Sequence, residues 1–342
     1  MKLSMPLDYS GNPVESAHVV AELEKAGLGT VWVAEPYGFD APTLMGYLAA
    51  KTETIRIASG ILNIYSRTPG ALLQTAAGLD SVSGGRAVLG LGASGPQVIE
   101  GFHGIPYDRP LARTREVVEI VRMGLRREPL VHSGIYDLPL PVDQGLGLGK
   151  PLKLLNRPVR PVVPIWLAAL GQKNVALTAE IADGWLPFLF VPEKAGEVWG
   201  DALAAGTAKR SPELAPLEIS AGGLVAIGDD VSAALDRMRP LYALYVGGMG
   251  AKGKNFYFDL ACSYGFEAEA QEIQDLYLAG RPRDAEARVP LAWLEASNLV
   301  GPESYVRERI EAYRAAGVTD LQVTVAAGDP VATIAKLAEW AA

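Results

Sequence analysis

The sequence predicts an α/β fold, a closed (β/α)8 barrel of the TIM type, with insertions after the fourth and seventh strands. Three observations point there. Short β-branched runs alternate with segments of helical period along all 342 residues, the pattern of parallel strands joined by crossover helices. Eight such runs can be counted, and seven are followed promptly by a helix. The runs end in Gly-rich or polar turns, and in such barrels the loops at those ends carry the chemistry. No internal repeat and no linker divides the chain, so residues 1–342 read as one domain.

Each element has its own signal. Residues 2–6 form the first strand, and Pro13 opens a helix that ends near Gly27. Residues 30–35 are the second strand and 41–51 its helix. In the third strand, residues 55–65, Ile55, Ile57, Ala58 and Ile61 form an apolar run. Ser59-Gly60 interrupts it, which marks a bulge or a close backbone approach. A helix over 70–82 leads to the fourth strand, 87–92. Residues 108–127 are helical, with Val117, Val118, Ile120, Val121 and Leu125 as the buried face. Residues 129–161 lose all periodicity and read as an insertion lying over the site. The remaining strands are 163–169, 183–190, 218–227 and 320–325. Helices are expected over 172–182, 193–209, 302–316 and 330–340. A further helix over 232–246 should kink or end at Pro240. Residues 254–290 read as extra helices rich in aromatics.

Composition excludes several classes. The formal charge is -8, with no basic stripe, which argues against nucleic-acid or membrane-surface partners. Cys262 is the only cysteine, so internal disulfides and cysteine-rich zinc sites are excluded. The three histidines, His18, His103 and His132, are scattered, and no metal site is expected. With no long apolar run at the start or elsewhere, a soluble cytoplasmic protein acting on a small molecule is expected.

Several strand ends could carry chemistry. Gly90-Leu-Gly92-Ala-Ser-Gly95 matches G-x-G-x-x-G. It follows the fourth strand, and the prolines over 96–110 break the long helix that a dinucleotide fingerprint needs. It reads as a strand-end turn with free amides, or as a plain glycine turn. Ala169, Gly171 and Gln172 run from a strand into a helix N-terminus, which suits a phosphate, or is an ordinary turn. Glu35 ends the second strand and could move a proton or cap a turn. His103 is a second proton-transfer candidate, or a structural histidine. Tyr37, Trp185 and Phe188 are candidates for the pocket wall.

The order of residues 31–35, 59–63, 79–91 and 182–185, with Gly92-Ala-Ser-Gly-Pro-Gln-Val-Ile-Glu-Gly-Phe-His-Gly104, resembles the bacterial-luciferase-like superfamily. Within it the chain is most similar to the coenzyme F420-dependent oxidoreductases of the actinobacterial luciferase-like group. The resemblance covers essentially the whole chain. It implies a TIM barrel, a homodimer, F420 or alternatively FMN as cofactor, and hydride transfer at the deazaflavin C5. An FMN monooxygenase and a non-catalytic cofactor-binding protein are the competing readings. The resemblance also implies site roles. A non-proline cis peptide at Gly60-Ile61 would back the ring, Asn63 would meet the ring or ribityl chain, and Glu35 would be the strand-2 acid. Gly92, Ala93 and Ser94 would meet the cofactor tail, and Ala169, Gly171 and Gln172 its phosphate. The sugar-phosphate dehydrogenases of the family have a His where this chain has Pro36. They place Thr and Lys where it has Phe188 and Val191. Apolar residues there would leave a phosphate unpaired, so an uncharged substrate is expected.

Overall fold

The computed structural model describes residues 1–7, 12–229, 231–250 and 252–342. Eight parallel strands close a barrel. They are β1 (Lys2–Pro6), β2 (Thr30–Val33), β3 (Arg56–Ser59), β5 (Ala87–Gly92), β6 (Ile165–Ala168), β7 (Gly184–Leu186), β8 (Glu218–Ile227) and β10 (Asp320–Val325). β10 pairs with both β1 and β8, which completes the ring. β4 (Leu62–Asn63) continues β3 beyond a bulge and pairs with β5. A short strand, β9 (Leu299–Gly301), pairs with β8 off the ring and was not predicted. Its three residues are too few to show a period.

The outer layer holds α1 (Pro13–Lys25), α2 (Ala41–Lys51), α3 (Pro69–Val82), α5 (Pro110–Leu125), α6 (Gln172–Ile181), α7 (Pro192–Thr207), α13 (Glu303–Ala315) and α14 (Pro330–Ala341). Four of their starts are fixed by side-chain caps: Asn12, Asp40, Thr68 and Asp329 accept from the first amides, each just before a proline or one residue further on. α4 (Pro96–Gly101) is a six-residue turn after Gly95, too short for a dinucleotide fingerprint helix.

The apolar chemistry divides between two compartments. Val31, Val33, Ile57, Leu89, Leu91, Ile165 and Leu167 face the helices. Trp32, Ala58, Val88 and Trp166 fill the inside of the barrel, with Trp32 and Trp166 5.2 Å apart. Below them sits a polar layer. Arg56 Nη2 lies 3.1 Å from the fully buried Asp320, and Ser220 donates to the same carboxylate at 3.2 Å. Burial pushes the Asp320 carboxyl above its ordinary value, with Arg56 opposing.

Some expectations need correction. Pro240 does not end the 232–246 helix: a 3-10 turn over Ser232–Met238 gives way to α8 (Arg239–Ala243), with Pro240 in its first turn, and then a π-turn. Pro is tolerated there because no amide is needed at that position. The strands after residues 163 and 183 are shorter than predicted, since the chain turns into loops at Ala169 and Pro187. The 129–161 insertion is tied to the flank of the barrel by Ile135 and Tyr136, whose amides donate to Glu116, and by Arg160, which pairs with Asp80, while the Tyr136 hydroxyl reaches the Ile64 carbonyl beside Asn63. The second insertion is helical as expected, with α9 (Phe256–Ser263), α10 (Glu267–Leu278), α11 (Pro282–Ala287) and α12 (Leu291–Ala296). No helix of the described residues is long and apolar enough to cross a membrane.

Candidate active site at the C-terminal mouth

The bulge in the third strand shapes the mouth. Ala58 pairs with Val88 and Leu62 with Leu91, so four steps on one strand face three on the other. The Gly60-Ile61 peptide in this bulge is cis. Ser59 bridges the break: its Oγ accepts from Gly90 N and donates to Gly90 O, both at 2.8 Å. The fit leaves no room at Gly90, where a Cβ would fall 1.8 Å from the Ser59 carbonyl oxygen.

Three strand ends meet above the bulge. A Cβ on Gly92 would lie 3.1 Å from Ile61 Cδ1 and 3.4 Å from Ala168 Cβ. Ala93 and Ser94 follow Gly92, and Ser94 holds φ at 57°, a left-handed conformation that a non-glycine residue adopts at some cost. Tyr107 donates to the Ser94 carbonyl at 3.3 Å. At the neighbouring turn, Ala169 is buried and Gly171 caps α6 with no side-chain partner, so the first amides of that helix are open. The Gln172 side chain turns aside, donating to Val198 O at 2.6 Å.

Asn63 and His103 meet, although 40 residues separate them. Asn63 Oδ1 accepts from the amides of Tyr65 (3.1 Å) and Ser66 (2.7 Å). Its NH2 is therefore the group that faces His103 Nε2 at 3.3 Å. Nε2 must accept, which places the ring proton of the neutral imidazole on Nδ1.

Glu35, expected as a proton carrier, is committed elsewhere. Its carboxylate forms a two-pronged pair with Arg67, with Nη2 to Oε2 at 2.7 Å, and accepts the Ala41 amide at 2.8 Å. The hydrogen bond to Glu35 in turn pushes the Arg67 guanidinium up. Arg67 was missed in the sequence. The available signal was opposite charges just past two adjacent strand ends.

Trp185, expected on the pocket wall, faces the helix layer instead. It is 1% exposed, packs on Trp199 at 5.2 Å and donates from Nε1 to Ala169 O at 2.9 Å. It holds the turn after β6 from behind. Phe188 does join an aromatic wall, with Tyr245 at 4.6 Å and Tyr257 at 6.0 Å. Burial pushes the Tyr257 hydroxyl well above its ordinary value, so it stays protonated. Tyr37 stands at the rim, 65% exposed, with its ring 6.3 Å from Phe102.

A parallel barrel that gathers small residues, open amides and a His–Asn pair at its C-terminal mouth has them at the face where TIM barrels place their active sites. Residues 2–320 match the family described as luciferase-like monooxygenase, and the chain belongs to that family. It is 41% identical to a Mycobacterium tuberculosis protein named "Putative coenzyme F420-dependent oxidoreductase Rv3520c", over 98% of this chain and 99% of that protein. Among solved structures, the coenzyme F420-dependent tetrahydromethanopterin reductase of Methanopyrus kandleri superposes with a TM-score of 0.80 at 21% identity. That match covers 99% of this chain and 97% of the other. An F420-dependent secondary alcohol dehydrogenase, solved with an F420-acetone adduct, gives a TM-score of 0.75 at 18% identity, covering 99% and 97%.

Proposed function

We propose that this chain is an F420-dependent oxidoreductase that exchanges a hydride with an uncharged organic substrate. The observation that carries the reading is the cradle where Gly92, Ile61 and Ala168 converge, which any side chain at position 92 would crowd. It suits a flat ring laid against the bulge. The relative with 41% identity supports the choice of cofactor.

Gly92, Ala93 and Ser94 would flank the cofactor, and the open amides after Gly171 would take its phosphate. Coenzyme F420, when bound, supplies a two-electron hydride carrier. The protein's residues supply the rest. His103, with Nε2 held by Asn63, presents its Nδ1–H as a fixed hydrogen-bond donor that would polarise a substrate oxygen as hydride moves. Phe188, Tyr245 and Tyr257 keep water from the substrate side and offer no cation for a phosphate. Glu35 holds Arg67 and the start of α2 in place.

Spectral titration with F420 and with FMN tests the cofactor, and turnover of alcohols and enones tests the reaction. F420 should bind the purified protein and FMN should not. His103→Ala should lower kcat by about 100-fold or more while F420 affinity holds. Tight FMN binding without F420 binding overturns the proposal.

A further inference from the structure

Three aromatic rings on one side of the mouth come from three separate elements. Phe188 follows β7, Tyr245 lies in the π-turn over Leu244–Gly248, and Tyr257 is in the first turn of α9. Tyr245 and Tyr257 meet at 4.6 Å with their planes at 79°, and Phe188 completes the corner. All three stay partly exposed. The backbone beneath them is held in unusual conformations. Leu189 has φ at 53°, a left-handed value that costs a non-glycine residue some energy. Tyr264, just past the end of α9, fixes it there: the hydroxyl donates to the Leu189 carbonyl at 3.0 Å and accepts from the Val191 amide at 3.3 Å. The π-turn is a rare form that recurs at functional sites. Asn255 pins it, donating to the carbonyls of Tyr245 at 3.0 Å and Val246 at 2.8 Å, while its Oδ1 accepts the first amides of α9. One side chain thus sets Tyr245 and Tyr257 relative to each other.

Tyr257 brings a polar atom into this corner. Among the described residues its hydroxyl makes no hydrogen bond. Burial, with the Tyr245 and Tyr107 phenols beside it, keeps it protonated, so it is a donor without an acceptor. Tyr107 belongs to the loop that carries His103 and braces Ser94. A second aromatic group stands across the mouth, where Tyr37, Phe102 and His103 pack in series at 6.3 Å and 5.1 Å. Tyr37 follows β2 and Phe188 follows β7. On the closed ring these strands are opposite, parted by β3, β5 and β6 one way and by β1, β10 and β8 the other. Flat apolar surface therefore faces the mouth from two sides, with the Tyr257 hydroxyl on one of them.

We propose that the substrate is an uncharged ring-bearing molecule with an acceptor oxygen, its ring packed on Phe188 and Tyr245 and its oxygen held by the Tyr257 hydroxyl. Tyr257 is then a specificity-determining residue. The proposal rests on the hydride-transfer reading above and names the class of molecule that reading leaves open. A flat ring meets tilted aromatic walls edge and face, contacts that an open chain of equal carbon count does not reproduce. An acceptor oxygen pairs the Tyr257 hydroxyl, whereas a hydrocarbon strips it of water and leaves it alone.

The test is ligand-observed NMR titration of the intact protein, with and without oxidised F420, using three uncharged probes of equal carbon count: acetophenone, ethylbenzene and methyl hexyl ketone. Acetophenone should bind about tenfold tighter than ethylbenzene and about threefold or more tighter than methyl hexyl ketone. Tyr257→Phe keeps the ring and removes the hydroxyl. It should weaken acetophenone about tenfold, to the level of ethylbenzene, with ethylbenzene affinity, F420 affinity and melting temperature unchanged. Phe188→Leu should weaken both ring probes about threefold and leave methyl hexyl ketone as it was. Equal binding of acetophenone and methyl hexyl ketone, undiminished acetophenone binding in Tyr257→Phe, or no binding by any probe overturns this inference and leaves the cofactor reading intact. Failure of F420 to bind, with the ranking of the probes kept, overturns the cofactor reading and supports the aromatic site on its own.

Discussion

At the scale of single residues, the mouth is set by atoms that have no room to move. Gly90 and Ser59 illustrate it, because one hydroxyl serves both backbone groups of Gly90 at 2.8 Å. Ser59→Ala leaves a buried N–H and C=O without partners and should cost about 1–3 kcal/mol. Gly90→Ala forces a Cβ into the Ser59 carbonyl oxygen and should cost at least about 3 kcal/mol. Urea unfolding of the two variants checks this, and a Gly90→Ala protein as stable as the parent would refute it. Glycine 60 was legible in the sequence as an interruption of the strand. Asn63's partner was not, since nothing in a linear chain places position 103 beside 63. Trp185 was misread for a related reason. An aromatic residue at a strand end looks the same whether it faces the mouth or the helices, and β7 has only three residues from which to judge.

At the scale of elements, side chains near helix ends fix where nearby strands begin. The Glu24 carboxylate, near the end of α1, accepts the Glu53 amide at 3.0 Å and the Ile55 amide at 2.7 Å, fixing the entry to β3. Burial pushes its carboxyl up, but these backbone donors outweigh that and hold it below the ordinary glutamate value. The contribution is therefore present above the usual glutamate range and lost as pH falls through the lowered value. Glu24→Gln should be less stable near neutral pH, by about 1 kcal/mol, and the gap should close in acid. Denaturant midpoints measured from pH 7 to 3 check it, and a gap that widens in acid would refute the sign. Arg86 does comparable work: its guanidinium donates to the carbonyls of Ala49, Thr52, Ile55 and Ser83. Helices and long strands were legible because their apolar periods are long. Boundaries set by such tertiary ties were not, and the short β9 and the path of residues 129–161 depend on them.

At the scale of the whole molecule, closure draws on a charged plug at the bottom of the barrel. Arg56 reaches Asp320 at 3.1 Å and Thr30 at 2.9 Å, linking β2, β3 and β10. Arg56→Met strands a buried carboxylate and should cost about 3 kcal/mol near neutral pH. Because burial already raises the Asp320 carboxyl, its charged form grows costlier as pH rises through that raised value. Acid should therefore return part of the loss, and adding Asp320→Asn should return more. Thermal melts across pH would refute this if the single variant lost further stability in acid. The bulge reaches across the same closed ring. Along a strand, odd and even residues point to opposite sides, and Leu62 belongs to the outer layer with Leu91. The extra residue resets that count, so Asn63, level with Gly92, turns inward. Without it, Asn63 would sit in oily packing under α3 and Leu62 would take the place opposite His103. One added link in the chain thus exchanges the fates of two neighbouring side chains and gives the histidine its partner.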